Sequence, residues 1–266
     1  PKREPHGPTL LAAVCCLAAI LLSLILSGCG VPGEPLPPLL ELPAPVHDLA
    51  VEQVGGRLIL HFVKPQLTTE GTLIRFLNRM EIHGAFLAPD NSAETFPDQG
   101  RLLATLPAAQ LPEGEGQINY ELPLDPGQRG LKALLAVKGI NRREKDAGFS
   151  NIVSVEIADL PDPPSGLAAT LTEQAIHLSW KEAERSIFGG PAPKPDGYEV
   201  YRAEVGSSVA PQMLGTAASP SFEDHAFAFG PRYVYTVRAF VRRGDSEAVT
   251  PSSNQVAVTA TDIFPP

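Results

Sequence analysis

The sequence predicts an all-β chain: two tandem sandwich domains behind a short apolar leader. Three observations carry this. Apolar and polar residues alternate over short runs, as where Ile176, Leu178 and Trp180 face one way and His177 and Ser179 the other, or where Tyr233, Tyr235, Val237 and Ala239 share a face. That is the period of a half-buried strand, and no long segment after residue 29 shows a 3.6-residue period. The chain also repeats itself. Residues 45–62 align without gaps on 163–180 at an offset of 118, with Pro45, Leu49, Ala50 and Leu60 matching Pro163, Leu167, Ala168 and Leu178. Near the end of each unit, Ser150-Asn151-Ile152-Val153 recurs as Ser253-Asn254-Gln255-Val256. Units of about a hundred residues have the size of a sandwich domain.

Composition sets outer bounds. The 266 residues are 43% hydrophobic, which excludes general disorder, and the 28 prolines cluster in linkers and turns. The net charge of −9 comes without a Lys/Arg block, so nucleic acid is not an expected partner: the chain would repel phosphates.

In chain order, the first element is the leader. Lys2 and Arg3 precede an apolar run at residues 10–26, broken only by Ser23. As a helix it would span about 25 Å, slightly short for a bilayer core and slightly long for a signal-peptide h-region, so periodicity leaves a cleaved leader and an uncleaved anchor both open. The run ends in Leu26-Ser27-Gly28-Cys29. This resembles the bacterial lipobox, which implies cleavage between Gly28 and Cys29, a diacylglyceryl group on the Cys29 thiol, and durable membrane attachment once two or three acyl chains are present. Residues 1–28 are then a lipoprotein signal peptide, and membrane lipid is a partner through acylated Cys29. Cys15 and Cys16 lie inside the leader, so Cys29 is the cysteine that remains and no intrachain disulfide is expected. Gly30 stands where Asp retains enterobacterial lipoproteins at the inner membrane, so the resemblance implies the outer membrane, on either its periplasmic or its surface side.

Residues 29–41 read as a tether. Pro32, Pro35, Pro37 and Pro38 favour extended polyproline II. Cys29-Gly30-Val31-Pro32-Gly33-Glu34-Pro35-Leu36-Pro37-Pro38 also resembles the start of a small lipoprotein of the lipopolysaccharide translocon, with Glu34 inserted.

The second unit, residues 159–261, resembles a fibronectin type III domain, a member of the immunoglobulin-like sandwiches. Pro161, Pro163, Leu167 and Ala169 correspond to strand A, and Ile176, Leu178 and Trp180 to strand B with its buried Trp. Residues 197–202 correspond to strand C, and Tyr233, Tyr235, Val237 and Ala239 to strand F, with Tyr233 in the tyrosine-corner position. The first unit, residues 42–158, is more divergent. Phe62 replaces the Trp, Ala133 replaces the corner Tyr, Met80-Glu81-Ile82 supplies strand C, and residues 85–100 read as a long loop. Residues 159–164 form a short Pro-rich linker, which predicts a semi-rigid end-to-end pair. Residues 262–266 resemble that linker, as a tail or the start of a lost repeat.

Two loops of the second unit are candidate binding elements. Arg243-Gly244-Asp245-Ser246 lies between strands F and G, where the integrin-binding fibronectin domain carries its Arg-Gly-Asp-Ser; a tight turn asks for the same residues. Residues 182–195 lie between strands B and C and offer Phe188 as an exposed apolar contact beside Arg242 and Arg243. The histidines His6, His47, His61, His83, His177 and His225 form no pair at metal-ligand spacing. Asp224-His225 lacks a Gly-x-Ser-x-Gly elbow, and Glu182 and Glu184 sit on a loop. No catalytic residue, metal or cofactor is expected. The sequence therefore predicts a lipid-anchored cell-envelope protein whose tandem domains bind a protein or carbohydrate of the envelope or exterior. The alternatives are a structural spacer or assembly subunit without its own ligand site, and a hydrolase accessory protein.

Overall fold

Strand B of the first unit shows how the pattern becomes structure. In Arg57–Val63, Leu58, Leu60 and Phe62 are fully buried while the residues between them face outward. The computed structural model that contains this strand describes residues 40–262 apart from 93 and 95. The leader, Gly28 and Cys29, the tether to residue 39 and the tail from 263 lie outside the described residues.

The first sandwich has seven strands: β1 (Ala50–Val54), β2 (Arg57–Val63), β3 (Leu77–Leu87), β4 (Arg101–Pro107), β5 (Gln117–Pro123), β6 (Lys132–Asn141) and β7 (Val153–Glu156). β1, β2 and β5 form one layer, and β4-β3-β6-β7 the other. Between them pack Leu58, Leu60 and Phe62 from β2, Met80 and Ile82 from β3, and Leu135 and Val137 from β6. Met80-Glu81-Ile82 does supply the strand C core. The expected loop at 85–100 is shorter than the sequence implied. β3 continues to Leu87, because Ala85 and Phe86 pair with Leu134 and Ala133 of β6. A helical turn, Phe96–Gln99, then buries Phe96 against Leu134 and Ala136 on the outer face of that sheet.

The second sandwich follows the same plan with β8 (Ser165–Leu171), β9 (Ile176–Lys181), β10 (Gly197–Glu204), β11 (Gln212–Ala217), β12 (Ser221–Asp224), β13 (Arg232–Arg243), β14 (Ser246–Val249) and β15 (Val256–Thr259). β12-β9-β8 is one layer; β11-β10-β13, with β14 and β15 both on β13, is the other. Trp180 packs edge-on to Tyr198 with ring centroids 5.2 Å apart. The tyrosine corner is formed: the Ala228 amide donates to Tyr233 Oη at 3.2 Å. These are the A-B-E and C′-C-F-G layers of a fibronectin type III sandwich, as the resemblance implied.

The repeated Ser-Asn pair has a mechanical reason. In each domain the Asn amide bonds both backbone groups of a strand A leucine: Asn151 to Leu49 (3.1 and 2.8 Å) and Asn254 to Leu167 (2.9 and 3.1 Å). The preceding serine hydroxyl accepts from a strand F amide at 3.0 Å, Val137 in one domain and Val237 in the other. Two adjacent polar residues thus tie the G segment to strands A and F where regular pairing stops, and satisfy buried backbone groups that would otherwise be costly.

The junction is tighter than a semi-rigid linker. β14 of the second sandwich pairs in parallel with β1 of the first, Gln53 opposite Ala248 and Val54 opposite Val249, and the Gly55 amide adds a bond to the Val249 carbonyl at 2.8 Å. One layer of each domain thereby becomes a single eight-stranded sheet ordered β11-β10-β13-β14-β1-β2-β5, with β15 beside β13. Gln53 is fully buried and grips the linker by both ends of its amide: Oε1 accepts from the Ala158 amide and Nε2 donates to the Ala158 carbonyl, both at 2.9 Å. Ala158 and Leu160 then pack with Val241, Ala248 and Ile187 in a small core of their own. Apolar burial of this kind contributes about 1.5–3 kcal/mol for a leucine. From Glu41 onward the two sandwiches form one compact unit.

Candidate functional site

Both candidate loops of the second sandwich lie at that junction. Strand count explains why. Strand A leaves the pole by which the chain arrives, B returns to it, and F ends there, so the B–C and F–G loops of a second domain face the first. Phe188, expected as an exposed ligand contact, is half-buried against the core of the first sandwich. The physical reason is that an apolar side chain on this pole finds the neighbouring domain. The Ser186 hydroxyl fixes the loop by donating to Asp159, whose other oxygen meets Arg129 at 3.3 Å; the Phe188 amide bonds Ser186 Oγ at 3.0 Å.

The Arg-Gly-Asp turn is a two-residue hairpin between Arg243 and Ser246, with φ of +54° at Gly244, the first central position. That position of a type II′ turn wants glycine. The turn sits against the first sandwich: a Cβ on Gly244 would lie 3.4 Å from the Glu156 carboxylate, ordinary contact distance, so the backbone conformation alone asks for glycine. Arg242 is tied down, its backbone amide to Asp196 at 2.7 Å and its Nε to Glu247 at 2.9 Å, with the guanidinium 4.7 Å from the Phe240 ring. Arg243 and Asp245 are exposed on the turn, and Arg243 Nη1 donates to the Arg242 carbonyl.

Among the described residues, the same two loops of the first sandwich meet no second domain. Its B–C loop repeats the backbone plan of the second at the 118-residue offset, bond for bond. Leu67 bridges Leu73 as Arg185 bridges Pro191, and Pro43 bridges Thr68 as Pro161 bridges Ser186. The Thr69 amide bonds the Leu42 carbonyl (3.0 Å) as Ile187 bonds Leu160 (3.0 Å), and Ile74 bonds Gln66 (2.8 Å) as Ala192 bonds Glu184 (3.0 Å). Gly71 and Gly189 both take positive φ, +76° and +90°. The loops differ in side chains. Where the second carries Ile187-Phe188 into the junction, the first carries Thr69-Glu70. Its exposed large apolar residues are instead Leu67, Leu73 and Phe76, beside a half-buried Ile74.

Three ionic clusters went unread in the sequence. On the outer face of β3, Glu81 receives Arg79 at 2.8 Å and His83 at 3.0 Å, with Lys138 at 3.9 Å. Burial pushes the Glu81 pKa up, but the hydrogen bonds from His83 and Arg79 and the neighbouring cations outweigh it and hold it below its ordinary value. Its repeat partner Glu199 receives Arg238 and the Tyr201 hydroxyl, the latter at 3.0 Å; burial is the main force raising the Tyr201 pKa. Asp224 is buried and binds Arg202 (2.7 Å) and Tyr235 (2.8 Å), so its partner is not the adjacent His225, which meets Glu223. A small cavity of about 220 Å³ lies beside the linker, lined by prolines, Tyr198, Glu182, Asp162 and Lys194. Tyr198 donates to Glu182 at 3.3 Å and its pKa is pushed up to about 12, chiefly by burial. Among the described residues no group of three His, Cys, Asp or Glu is placed to hold a metal, and no helix is long and apolar enough to cross a membrane.

No family model and no curated protein matches the chain. Among solved structures it is similar to the FN1–FN3 domains of chicken CNTN1, at 16% identity and a TM-score of 0.39 over 83% of this chain and 69% of that one. It is also similar to a segment of two fibronectin type III domains from chicken tenascin, at 13% identity and a TM-score of 0.30 over 81% of this chain and 99% of that one. Strand order, layer composition and the Tyr233 corner carry the fold assignment, rather than these superpositions.

Proposed function

We propose that the chain is a lipid-anchored protein of the cell envelope, held at the outer membrane through acylated Cys29, whose tandem sandwiches act as a stiff spacer in an envelope assembly. One observation supports the spacer reading above the others: the parallel pairing of β1 with β14, which joins the domains through a continuous sheet. A tandem built to adapt its loops to a ligand has no use for such a bond, whereas one that must hold a distance does. The lipobox at Leu26-Ser27-Gly28-Cys29 supplies the anchor. Metabolic labelling with a palmitate analogue tests it: labelling and membrane fractionation unchanged by Cys29→Ala overturn the anchor. Shortening the Pro-rich tether is expected to abolish assembly while Arg243→Ala leaves it intact.

A second reading, binding of an envelope or extracellular protein or glycan, is favoured by the exposure of Arg243 and Asp245 on a fixed turn. It predicts the reverse pattern, with pull-down of a partner lost in Arg243→Ala and Asp245→Ala and retained on tether shortening.

A further inference from the structure

The open pole of the first sandwich presents large apolar side chains on a rigid loop. At three outward positions where the second loop carries Arg185, Pro191 and Lys194, the first carries Leu67, Leu73 and Phe76. Leu73 is 72% exposed, the highest value among the exposed large hydrophobics of the described residues; Phe76 is 48% and Leu67 46%. The loop does not fold them away. Thr68 is buried, its hydroxyl meets that of Thr72 at 2.8 Å and accepts from the Glu70 and Thr72 amides, and its backbone bridges Pro43. The Arg142 guanidinium lies 3.6 Å from the centroid of the Phe76 ring, from the F–G turn of the same pole. With Thr69-Glu70 in place of Ile187-Phe188, this loop lacks the apolar tip that seats the second sandwich on the first. Exposed large apolar side chains on one fixed loop, two of them on bridged residues, mark a contact surface.

The chain itself indicates what covers it. It enters the sandwich at this pole, where the Glu41 carbonyl accepts from Asn141 and Pro43 bridges Thr68. Fully extended, residues 29–41 reach at most roughly 45 Å. A lipid on Cys29 therefore keeps this pole within that distance of the bilayer, at an effective concentration in the millimolar range, where a weak contact suffices. Leucine and phenylalanine beside arginine is also the composition of an interfacial contact. We propose that Leu67, Leu73 and Phe76 dock the first sandwich on the headgroup–acyl boundary of the membrane that holds the chain; this rests on the reading of Cys29 as acylated. The F–G turn carries Arg142, Arg143 and Lys145 with Glu144 and Asp146, and the B–C loop carries Arg75 with Glu70, so both charge signs share the pole and the apolar side chains set the contact.

The experiment uses the lipidated, leader-free chain in vesicles of phosphatidylethanolamine and phosphatidylglycerol. With Cys29 acylated, a Leu73→Cys variant offers one free thiol for an environment-sensitive nitrobenzoxadiazole dye; Val209→Cys, on the turn between β10 and β11, is the control. The dye at position 73 is expected to shift to the blue and to be quenched several-fold more by doxyl-labelled lipid than the dye at 209, with no loss on adding salt. Adding Leu67→Asp and Phe76→Ser, both at exposed positions, is expected to bring it down to the control. Equal aqueous exposure at both positions in an acylated chain overturns the docking and leaves the anchor standing. Mass spectrometry of the same sample reads the anchor independently: an unacylated Cys29 overturns that reading and the reach argument built on it.

Discussion

The two B–C loops share a backbone and differ in fate. Residues 64–76 and 182–194 have matching bridges, matching turn bonds and a positive-φ glycine at the same position. One inserts Ile187 and Phe188 between two domains; the other turns Leu67, Leu73 and Phe76 outward. A loop of this kind is a fixed frame, and the side chains at two or three positions decide whether its pole becomes a domain junction or a free surface. The supports also differ. The covered loop adds apolar contact by Ile187 and Phe188 to the Ser186–Asp159–Arg129 bonds that fix it. The open pole is held by the threonine network at Thr68 and by ions: Arg79 reaches Glu144 of the F–G turn at 2.6 Å and Glu81 at 2.8 Å.

The largest way to break the comparison is to remove the apolar junction. Leu160 is fully buried with Val241, Ala248 and Ile187. Leu160→Ala is expected to cost about 3 kcal/mol, as for a leucine truncated in a core. Urea unfolding followed by both fluorescence and circular dichroism checks it: coincident transitions in the parent chain separate into two, because the domains no longer unfold together. A single transition with an unchanged midpoint would show that the small core does not couple them.

Gln53→Ala is next, at about 2 kcal/mol. It strips the buried Ala158 amide and carbonyl of their partners while leaving the strand pairing intact. Spin labels on the two sandwiches read the consequence directly: a narrow distance distribution in the parent chain broadens in Gln53→Ala. If it stays narrow, the β1–β14 pairing alone sets the geometry.

Much of this was legible in the sequence, and the limits have physical causes. Period-two alternation placed the buried faces of β2, β9 and β13 because each has one wet side. The Ser-Asn repeat pointed to a shared device. The position of Phe188 and the Arg243 turn was also implicit, since strand count sends both loops to the pole where the chain arrives; reading the second domain as if it stood alone hid this. Gln53 had no local signal, because its partner is a backbone 105 residues away. Glu81 and Glu199 did have one. Each is a carboxylate at the same point of strand C, flanked by core residues, and a glutamate there on both copies implied a cation on a neighbour. Asp224 had no local signal for its partners, because a strand residue meets them across the sheet: Arg202 and Tyr235.

Acid sharpens the comparison by acting on one pole. Because the Glu81 pKa in the folded chain lies below its ordinary value of 4.5, its contribution is fully present above that value. It is lost as the pH falls through the lowered folded pKa. The urea midpoint of the parent chain is therefore expected to drop on acidification below about pH 4.5 more steeply than that of Glu81→Gln, which starts lower and stays flatter. Parallel pH profiles would mean that the cluster on β3 does not support the open pole.

The smallest effect is the most discriminating. Leu73→Ala removes a side chain that is 72% exposed, so stability should move by no more than about 0.5 kcal/mol. Phe188→Ala, in the homologous loop but half-buried on the first core, should cost about 1–2 kcal/mol. Measured side by side in urea, the pair separates what the loop frame contributes from what its side chains contribute. Equal and small changes would mean that Phe188 is as free as Leu73 and that the junction rests on the sheet alone. Equal and large ones would mean that Leu73 is covered within the chain itself, which would remove it from any outside surface.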